Sequence, residues 1–483
     1  VKPRCNLVWL KRDLRTRDHL PLHSAEQAGL PYLILFLFEP GLINQPDTSL
    51  RHLQFQFQAL RAMLPRLQAF GQTIYLCYAG AIDVFGALLE DFEIEQVFSY
   101  AETGTQATWN RDRAVKQLLH SNGVRWTEFQ RDGIVRGKRS RKGWDEQWQQ
   151  VMNAPIIQNQ FSPAPDWYNP FPIPDTDLAK WTNYPPEFQP AGEGYAWRYL
   201  KSFLEERGTR YQRHISKPQE SRTACSRLSP YLAWGCLSMR QVYQTTKQTR
   251  RSRVFSAFIS RLHWHCHFIQ KLEAEQRYEY ACINQGFEAL PYRDNTAQLE
   301  AWKTGHTGVP LVDACMRCLH ATGWVNFRMR ALLVSFLCHL LLIDWRRGVH
   351  HLAQLFLDYE PGIHYPQFQM QAGTTGVNTL RIYNPVKNGQ KHDPEGAFTR
   401  RWLPELATLP DAFLHEPWKM TLMEQQLYGI ELGKDYPYPI IDLQQAARQA
   451  RDLLWAHRKH PEVKQDSRRI LAVHVRPKPD IHG

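Results

Sequence analysis

Hydroxyl and guanidinium groups come together in Cys225-Ser226-Arg227-Leu228-Ser229-Pro230-Tyr231-Leu232, which continues as Ala233-Trp234-Gly235-Cys236-Leu237-Ser238. Two serines flank an arginine, and Pro230 suits a first helical turn, so hydroxyls and terminal N–H groups could be aimed at a phosphate or pyrophosphate. A plain helix cap at Ser229 accounts for the same spacing equally well. A second segment runs from Gly308-Val309-Pro310-Leu311-Val312-Asp313-Ala314 to Gly323-Trp324-Val325-Asn326-Phe327-Arg328-Met329-Arg330 and sets two arginines at the start of a strongly apolar helix. Buried arginines need partners, and Asp358, in Phe356-Leu357-Asp358-Tyr359-Glu360, is a candidate. Such a pair is either a structural ion pair or, beside a redox-active ring, a device that tunes potential and protonation.

Metal chemistry has less support. Cys315-x-x-Cys318 lies in a helical pattern without a second pair to complete a site. His263, His265 and His267 alternate with Trp264 and Cys266, and i, i+2 spacing splits them across the faces of a helix. Nine unevenly placed cysteines do not read as a disulfide framework, and Val1–Asn6 carries charge but no apolar leader, so a reducing, cytoplasmic setting is expected. The longest apolar run, Ala331–Ile343, contains His339 and falls short of the ~20 residues a membrane span requires, so it reads as a buried helix and no membrane partner is expected.

The chain of 483 residues suggests two or three domains, and its net charge of +12 favours a polyanionic partner such as nucleic acid, unless the cations are merely scattered over the surface. Sixteen tryptophans and 20 tyrosines offer rings for stacking, although most belong to an ordinary core. Arg250-Arg251-Ser252-Arg253 and Arg136–Lys142 are basic clusters.

The elements that must position these groups fall into two styles. Up to about residue 130, short β-rich runs at Asn6–Leu10, Tyr32–Phe38, Thr73–Tyr78, Gln96–Tyr100 and Val124–Phe129 alternate with helical stretches such as Leu50–Leu67 and Ala107–Leu119. That alternation predicts a parallel, Rossmann-like α/β domain over 1–132, with ligand binding at the carboxyl ends of its strands. No Gly-rich fingerprint follows the first strand; Lys11-Arg12-Asp13-Leu14-Arg15 stands there, expected to cap a helix and pair on the surface. Prolines accumulate over 133–194, predicting an extended connector docked through Trp167, Tyr168 and Phe171. From 195 to 483 helical patterns dominate, among them Ala196–Arg207, Val254–Lys271, Phe327–Trp345 and Asp442–Arg458, so this domain reads as all-α.

Ser226–Leu237, Gly308–Arg330, Ile343-Asp344-Trp345-Arg346, and Arg381-Ile382-Tyr383-Asn384-Pro385 through Asp393-Pro394-Glu395-Gly396 to Arg401-Trp402-Leu403-Pro404-Glu405-Leu406 closely resemble the DNA photolyase/cryptochrome family, in that family's order and almost end to end. The opening Leu7-Val8-Trp9-Leu10-Lys11-Arg12-Asp13-Leu14-Arg15 is similar to its first strand. The resemblance implies an all-α C-terminal FAD-binding domain and an α/β domain able to carry a second, light-harvesting chromophore of folate or deazaflavin type. It implies electron donation from excited reduced flavin to a pyrimidine dimer flipped out of UV-damaged DNA, by a monomer. It places Ser226, Arg227, Leu228 and Ser229 on the FAD phosphates with Tyr211 upstream, pairs Arg330 with Asp358 beside the flavin ring, and makes Glu360 a second acidic contact. Trp264 matches an aromatic residue that stacks on the lesion or packs near the flavin, and Arg261 joins the cofactor set one turn before it. Arg346, Arg347 and Lys387 are candidate DNA-backbone contacts. With no cysteine after Cys338, an iron–sulfur cluster is not expected.

The departures from the family pattern are specific. Photolyases acting on cyclobutane dimers usually have glutamate where Arg261 stands and asparagine where Phe327 stands, while the (6-4) type has a catalytic histidine at the helix start occupied here by Asn326-Phe327. The asparagine near flavin N5 is replaced by His364 or Tyr365, and the nearest relay tryptophan by Phe368 or Gln369. Trp345 matches the middle relay member and Tyr292 the outer one, so photoreduction should be impaired or rerouted through Trp324, Tyr359, Tyr365 or Tyr383. Light-driven repair of UV-made dimers is the leading expectation. A cryptochrome-type blue-light receptor without repair activity is its rival, and a colourless nucleotide-binding scaffold a third alternative.

Overall fold

In the computed structural model, residues 2–249 and 252–474 are described. Arg250 and Arg251 of the second basic cluster lie outside them. The chain forms two compact units that are discontinuous in sequence: one comprises Val1–Glu205, Arg227–Glu279 and Leu357–Ile363, the other Glu206–Ser226, Tyr280–Phe356 and His364–Gly483.

The first unit is built on five parallel strands, β1 (Arg4–Leu10), β2 (Tyr32–Leu37), β3 (Ile74–Cys77), β4 (Glu93–Tyr100) and β5 (Arg125–Phe129), in the order β3-β2-β1-β4-β5. β1 and β2 are near-continuous apolar runs because both faces are covered by helices. Leu7, Trp9, Leu33 and Leu35 pack with Val84, Phe85 and Leu88 of the helix Ala81–Asp91 in one core. This bears out the α/β reading of the N-terminal region.

Strand order reverses between β1 and β4, which opens a crevice at their carboxyl ends. There the charges predicted to pair on the surface are buried instead. Arg111, from the helix Gln106–Ser121, meets Glu39 at 2.9 Å, Glu102 at 2.7 Å and Asp112 at 2.8 Å, while Arg12 approaches Glu102 at 3.5 Å and Lys11 meets Asp112 at 3.0 Å. Short parallel strands end in a narrow rim, so side chains just beyond them cannot all reach water and must satisfy one another. Burial pushes the Glu102 carboxyl up, but the charges of Arg111, Lys11 and Arg12 outweigh it and hold the group down at about 2. At Glu39 burial wins over Arg111 and the carboxyl is raised.

The stretch 133–194 is not uniformly extended. Trp144–Asn153 and Asp175–Thr182 are helices, the first because Trp144, Trp148 and Met152 recur every fourth residue and bury one face. Trp167 docks edge-on against Tyr75 and donates its indole N–H to Asp91 at 2.9 Å, whereas Tyr168 is 87% exposed and holds nothing down. The short helix Ser229–Ala233 follows, and its neighbour Gly235 sits at φ +71° with no room for a Cβ, which would run into the carbonyl oxygen of Arg12. Leu14 N–H donates to the Trp234 carbonyl at 3.1 Å, closing the loop after β1 onto this helix.

The second unit is helical among its described residues, with Pro310–Thr322, Phe327–Ser335 and Arg346–Leu355 among its elements. Ala331–Leu341 is buried, and the α-helix passes into a π-helical turn at Phe336–Leu340. No described helix is long and apolar enough to cross a membrane.

Gly235→Ala combines a left-handed backbone with a clash against β1's loop and should lower stability by ~2 kcal/mol or more, measured by urea denaturation. Glu102→Gln should cost about 3 kcal/mol, because it leaves buried guanidinium groups undercompensated. With a folded-state pKa depressed below its ordinary 4.5, Glu102 contributes stability that is fully present above that pH and is lost as pH falls towards 2. The stability–pH curve of Glu102→Gln should therefore be flatter across that acid window.

Candidate functional site

The segment at 225–229 is shaped by groups that draw its carbonyls away. In the second unit, Arg207 donates to the carbonyls of Thr223 at 2.7 Å and Ser226 at 2.9 Å, and also to that of Cys225. In the first unit, the Gln189 amide donates to the Arg227 carbonyl at 2.5 Å. The side chains of Ser226, Arg227 and Ser229 are hydroxyls and a guanidinium, groups whose chemistry suits an anion. Arg227 adopts φ +59°, an uncommon conformation for a residue with a Cβ. Leu228, not Ser229, is the N-cap, and it contributes no side-chain cap bond, so the plain cap at Ser229 is ruled out. Tyr211 is buried in the second unit, in the helix Tyr211–His214.

In the first unit, the segment Leu357–Ile363 packs on the helix Ser256–Ala274 through Gly362, where a Cβ would lie 2.8 Å from Ile269 Cα. Glu360 is held by Arg131 at 3.1 Å and by Arg12 at 3.9 Å. Arg131 also donates to the Leu232 carbonyl at 3.1 Å, binding the segment to the helix Ser229–Ala233. Burial pushes the His265 imidazole down, against the pull of Glu360, Asp132 and Asp358. Glu360 Oε1 and His265 Nε2 are both buried without a hydrogen-bond partner among the described residues. On the same helix Trp264 is 46% exposed, while Phe258 and Phe268 are buried. Arg261 is exposed, with its guanidinium 5.4 Å from the Trp264 ring. His263 bonds Asp145 at 2.7 Å, and among the described residues no three His, Cys, Asp or Glu side chains are grouped to hold a metal ion.

The second unit holds the arginine helix. Asn326 caps it, accepting from Met329 N–H at 3.0 Å and donating to Ser221 Oγ at 3.0 Å. Arg330 donates to the Val325 carbonyl at 3.0 Å and lies 4.1 Å from the Phe356 ring; Asp358 belongs to the other unit. His364, on the helix Pro361–Ala372, donates from Nε2 to the Val349 carbonyl at 2.8 Å. Phe368 lies 5.8 Å from His364 and 6.5 Å from the fully buried Trp345; Tyr365 is buried beside His364 at 5.6 Å. Burial pushes the Tyr292 phenol well up, and its hydroxyl has no hydrogen-bond partner among the described residues. Arg346 is engaged by Asp344 at 2.9 Å and Glu288 at 2.5 Å, and Arg347 by Asp294 at 2.6 Å, while Lys387 is exposed.

Sequence reading expected ligand binding at the carboxyl ends of the strands but did not name the residues that line the pocket at the ends of β1 and β2. Its walls include Trp9, Phe38, His52, Trp234 and Tyr359, with Arg12, Glu102 and Asp47 among its polar groups. These residues come from five separated stretches, and no local motif announces them. Arg131 and Gln189 were missed because their partners lie 101 and 38 positions away, and Arg207 because no motif marks its bonds to carbonyls 16 to 19 positions on.

Two family models match this chain: "DNA photolyase" over residues 6–148 and "FAD binding domain of DNA photolyase" over 258–456. The deoxyribodipyrimidine photo-lyase of Alkalihalophilus pseudofirmus is 29% identical over 466 residues, covering 90% of this chain and 94% of the relative. Among solved structures, the cryptochrome of Synechocystis sp. superposes with a TM-score of 0.85 at 25% identity, over 94% of this chain and 99% of that one. A class III photolyase from Agrobacterium tumefaciens gives 0.82 at 26% identity, over 95% and 99%. With its parallel-sheet fold, its anion-suited segment and these matches along most of its length, the chain belongs to the DNA photolyase/cryptochrome family.

Proposed function

We propose that this protein repairs UV-made pyrimidine dimers in DNA under blue or near-UV light, using FAD, which when bound supplies the electron that splits the dimer and takes it back. The observation that carries this reading is the exposure of Trp264. A large indole left 46% exposed beside an arginine, on a helix that buries its other large aromatic side chains, is a stacking platform for an unpaired base.

The residues present fit the cofactor. Ser226, Arg227, Leu228 and Ser229 hold its phosphates, with Tyr211 beside them. Glu360 Oε1 and His265 Nε2, buried without partners, are polar atoms that a ligand with ring nitrogens and carbonyls satisfies. Arg330, Asp358 and Glu360 would set the charge around the flavin ring, Arg261 would join the cofactor set, and His364 or Tyr365 would stand near N5. Trp345 and Tyr292 are what remains of the relay, which Phe368 interrupts. The aromatic pocket at the strand ends suits a second planar chromophore. Lys387 and the net charge of +12 favour the DNA backbone; Arg347 joins them once it leaves Asp294, itself exposed, and Arg346 is the most firmly engaged of the three.

One observation favours a photoreceptor instead: the Arg261 guanidinium already lies over the Trp264 ring and occupies part of its stacking surface.

Chemically pre-reduced protein should restore bases under light in oligonucleotides carrying a cyclobutane dimer or a (6-4) photoproduct. Trp264→Ala should weaken damaged-oligonucleotide binding by about tenfold or more with FAD content unchanged, the loss of one base stack. No repair of either lesion by FAD-loaded, reduced protein would assign the chain to the photoreceptors. DNA affinity should fall steeply with salt, read as a linear log–log slope.

A further inference from the structure

We propose that the outward face of the helix Leu443–His457, in the second unit, binds a single strand of nucleic acid, holding its backbone on Arg448, Arg451 and Arg458 and one base on Trp455. The helix buries Ala446, Ala450, Leu454 and His457. Positions 448, 451 and 455, with the C-cap at 458, recur every three or four residues and so lie together on the side turned away from that core. Arg448, Arg451 and Trp455 are exposed there, Lys459 just beyond the cap is exposed too, and Asp452 is the one carboxylate within the helix. With a rise of about 1.5 Å per residue, the stripe from 448 to 458 is ~15 Å long, enough to run beside several phosphates of one strand.

Trp455 separates this face from an ordinary solvated one. Indoles are seldom left to water, and among the described residues only Trp264 and Trp455 of the tryptophans are exposed, Trp455 at 48%. Arg458 stands beside it with its guanidinium 5.4 Å from the ring, fixed by bonds to the carbonyls of Gly376 at 3.1 Å and Asn378 at 3.0 Å. A guanidinium has five N–H groups in one plane, so these two bonds leave donors for a phosphate. Arginines take the sugar–phosphate backbone and the indole offers a flat face to a base, the combination by which single strands are bound without regard to sequence. A duplex keeps its base faces stacked inside and has none to offer the indole. A lipid surface fits less well, because Trp455 is the only large apolar side chain exposed on this helix, whereas an interfacial helix sinks a broad apolar face into the bilayer. Trp264 belongs to the other unit, so this face is a second surface, and it takes undamaged strands.

The test measures, in the dark, the binding of the full-length protein to labelled, undamaged oligothymidylate and oligouridylate by fluorescence anisotropy over a salt series. Trp264→Ala serves as the background, so that the other exposed indole does not contribute. Adding Trp455→Ala should weaken binding about tenfold, the loss of one stacked base, with circular dichroism unchanged. Arg448→Gln combined with Arg451→Gln should lower the slope of log affinity against log salt by about 1.4, the share of two backbone contacts on a single strand. Binding to an undamaged duplex should not respond to Trp455→Ala. Trp455-dependent binding of either strand bears the proposal out, and the tighter of the two shows whether DNA or RNA is preferred. Binding that vanishes in Trp264→Ala alone, single-strand affinity unchanged by Trp455→Ala, or a salt slope unchanged in the double arginine variant would each overturn it. So would a double variant that loses only its binding to phosphatidylserine vesicles, which would assign the face to a membrane surface. The outcome is independent of light and of repair, so a protein that mends no lesion could still bear this proposal out.

Discussion

Arg12 is the side chain on which most of the first unit's functional geometry depends. It stands just beyond β1, approaches Glu102 at 3.5 Å and Glu360 at 3.9 Å, donates to the Tyr359 carbonyl and lies over Trp234. A guanidinium has five donors in a rigid plane and cannot shed its charge, so it fixes every group it touches in both position and sign. Its carboxylate partners are in turn held by Arg111 and Arg131. The loop after β1, the helix Ser229–Ala233 and the segment Leu357–Ile363 are thereby tied into one charged frame. Such a frame costs desolvation and contributes specificity of placement more than net stability.

The frame explains why the segment with acidic side chains at 358 and 360 lies where it does. Gly362 allows it to meet the helix Ser256–Ala274 at backbone distance, and Arg131 fastens it to the carbonyls of 232 and 233. The left-handed backbone of Arg227 and the buried, unsatisfied atoms of Glu360 and His265 are local costs. Proteins keep such costs where a ligand or a reaction repays them.

The departures from the family pattern on the helix Pro361–Ala372 have physical consequences of their own. Histidine at 364 is oriented by the Val349 carbonyl. Phenylalanine at 368 preserves packing between His364 and Trp345 but has no readily oxidised ring.

Much of the architecture was legible in the residues themselves. Period-2 and continuous apolar runs located all five strands, helical spacing located the long helices, and multi-residue blocks identified the family, because each of these is imposed by near neighbours along the backbone. The same spacing at Trp144, Trp148 and Met152 was present but masked by the surrounding prolines. Ser229 as a cap was a local inference that the backbone at Leu228 overturned. What no local pattern contained were the pairings: Tyr359 with Asp47, 312 positions apart, or Arg12 with the Tyr359 carbonyl, 347 positions apart. Residue types and spacing thus determined the elements, the chemistry available and the net charge. Which charges were buried together, and which phenol met a carboxylate, was decided only by tertiary structure, because a buried polar group must take its partner from whatever the closed chain brings within reach.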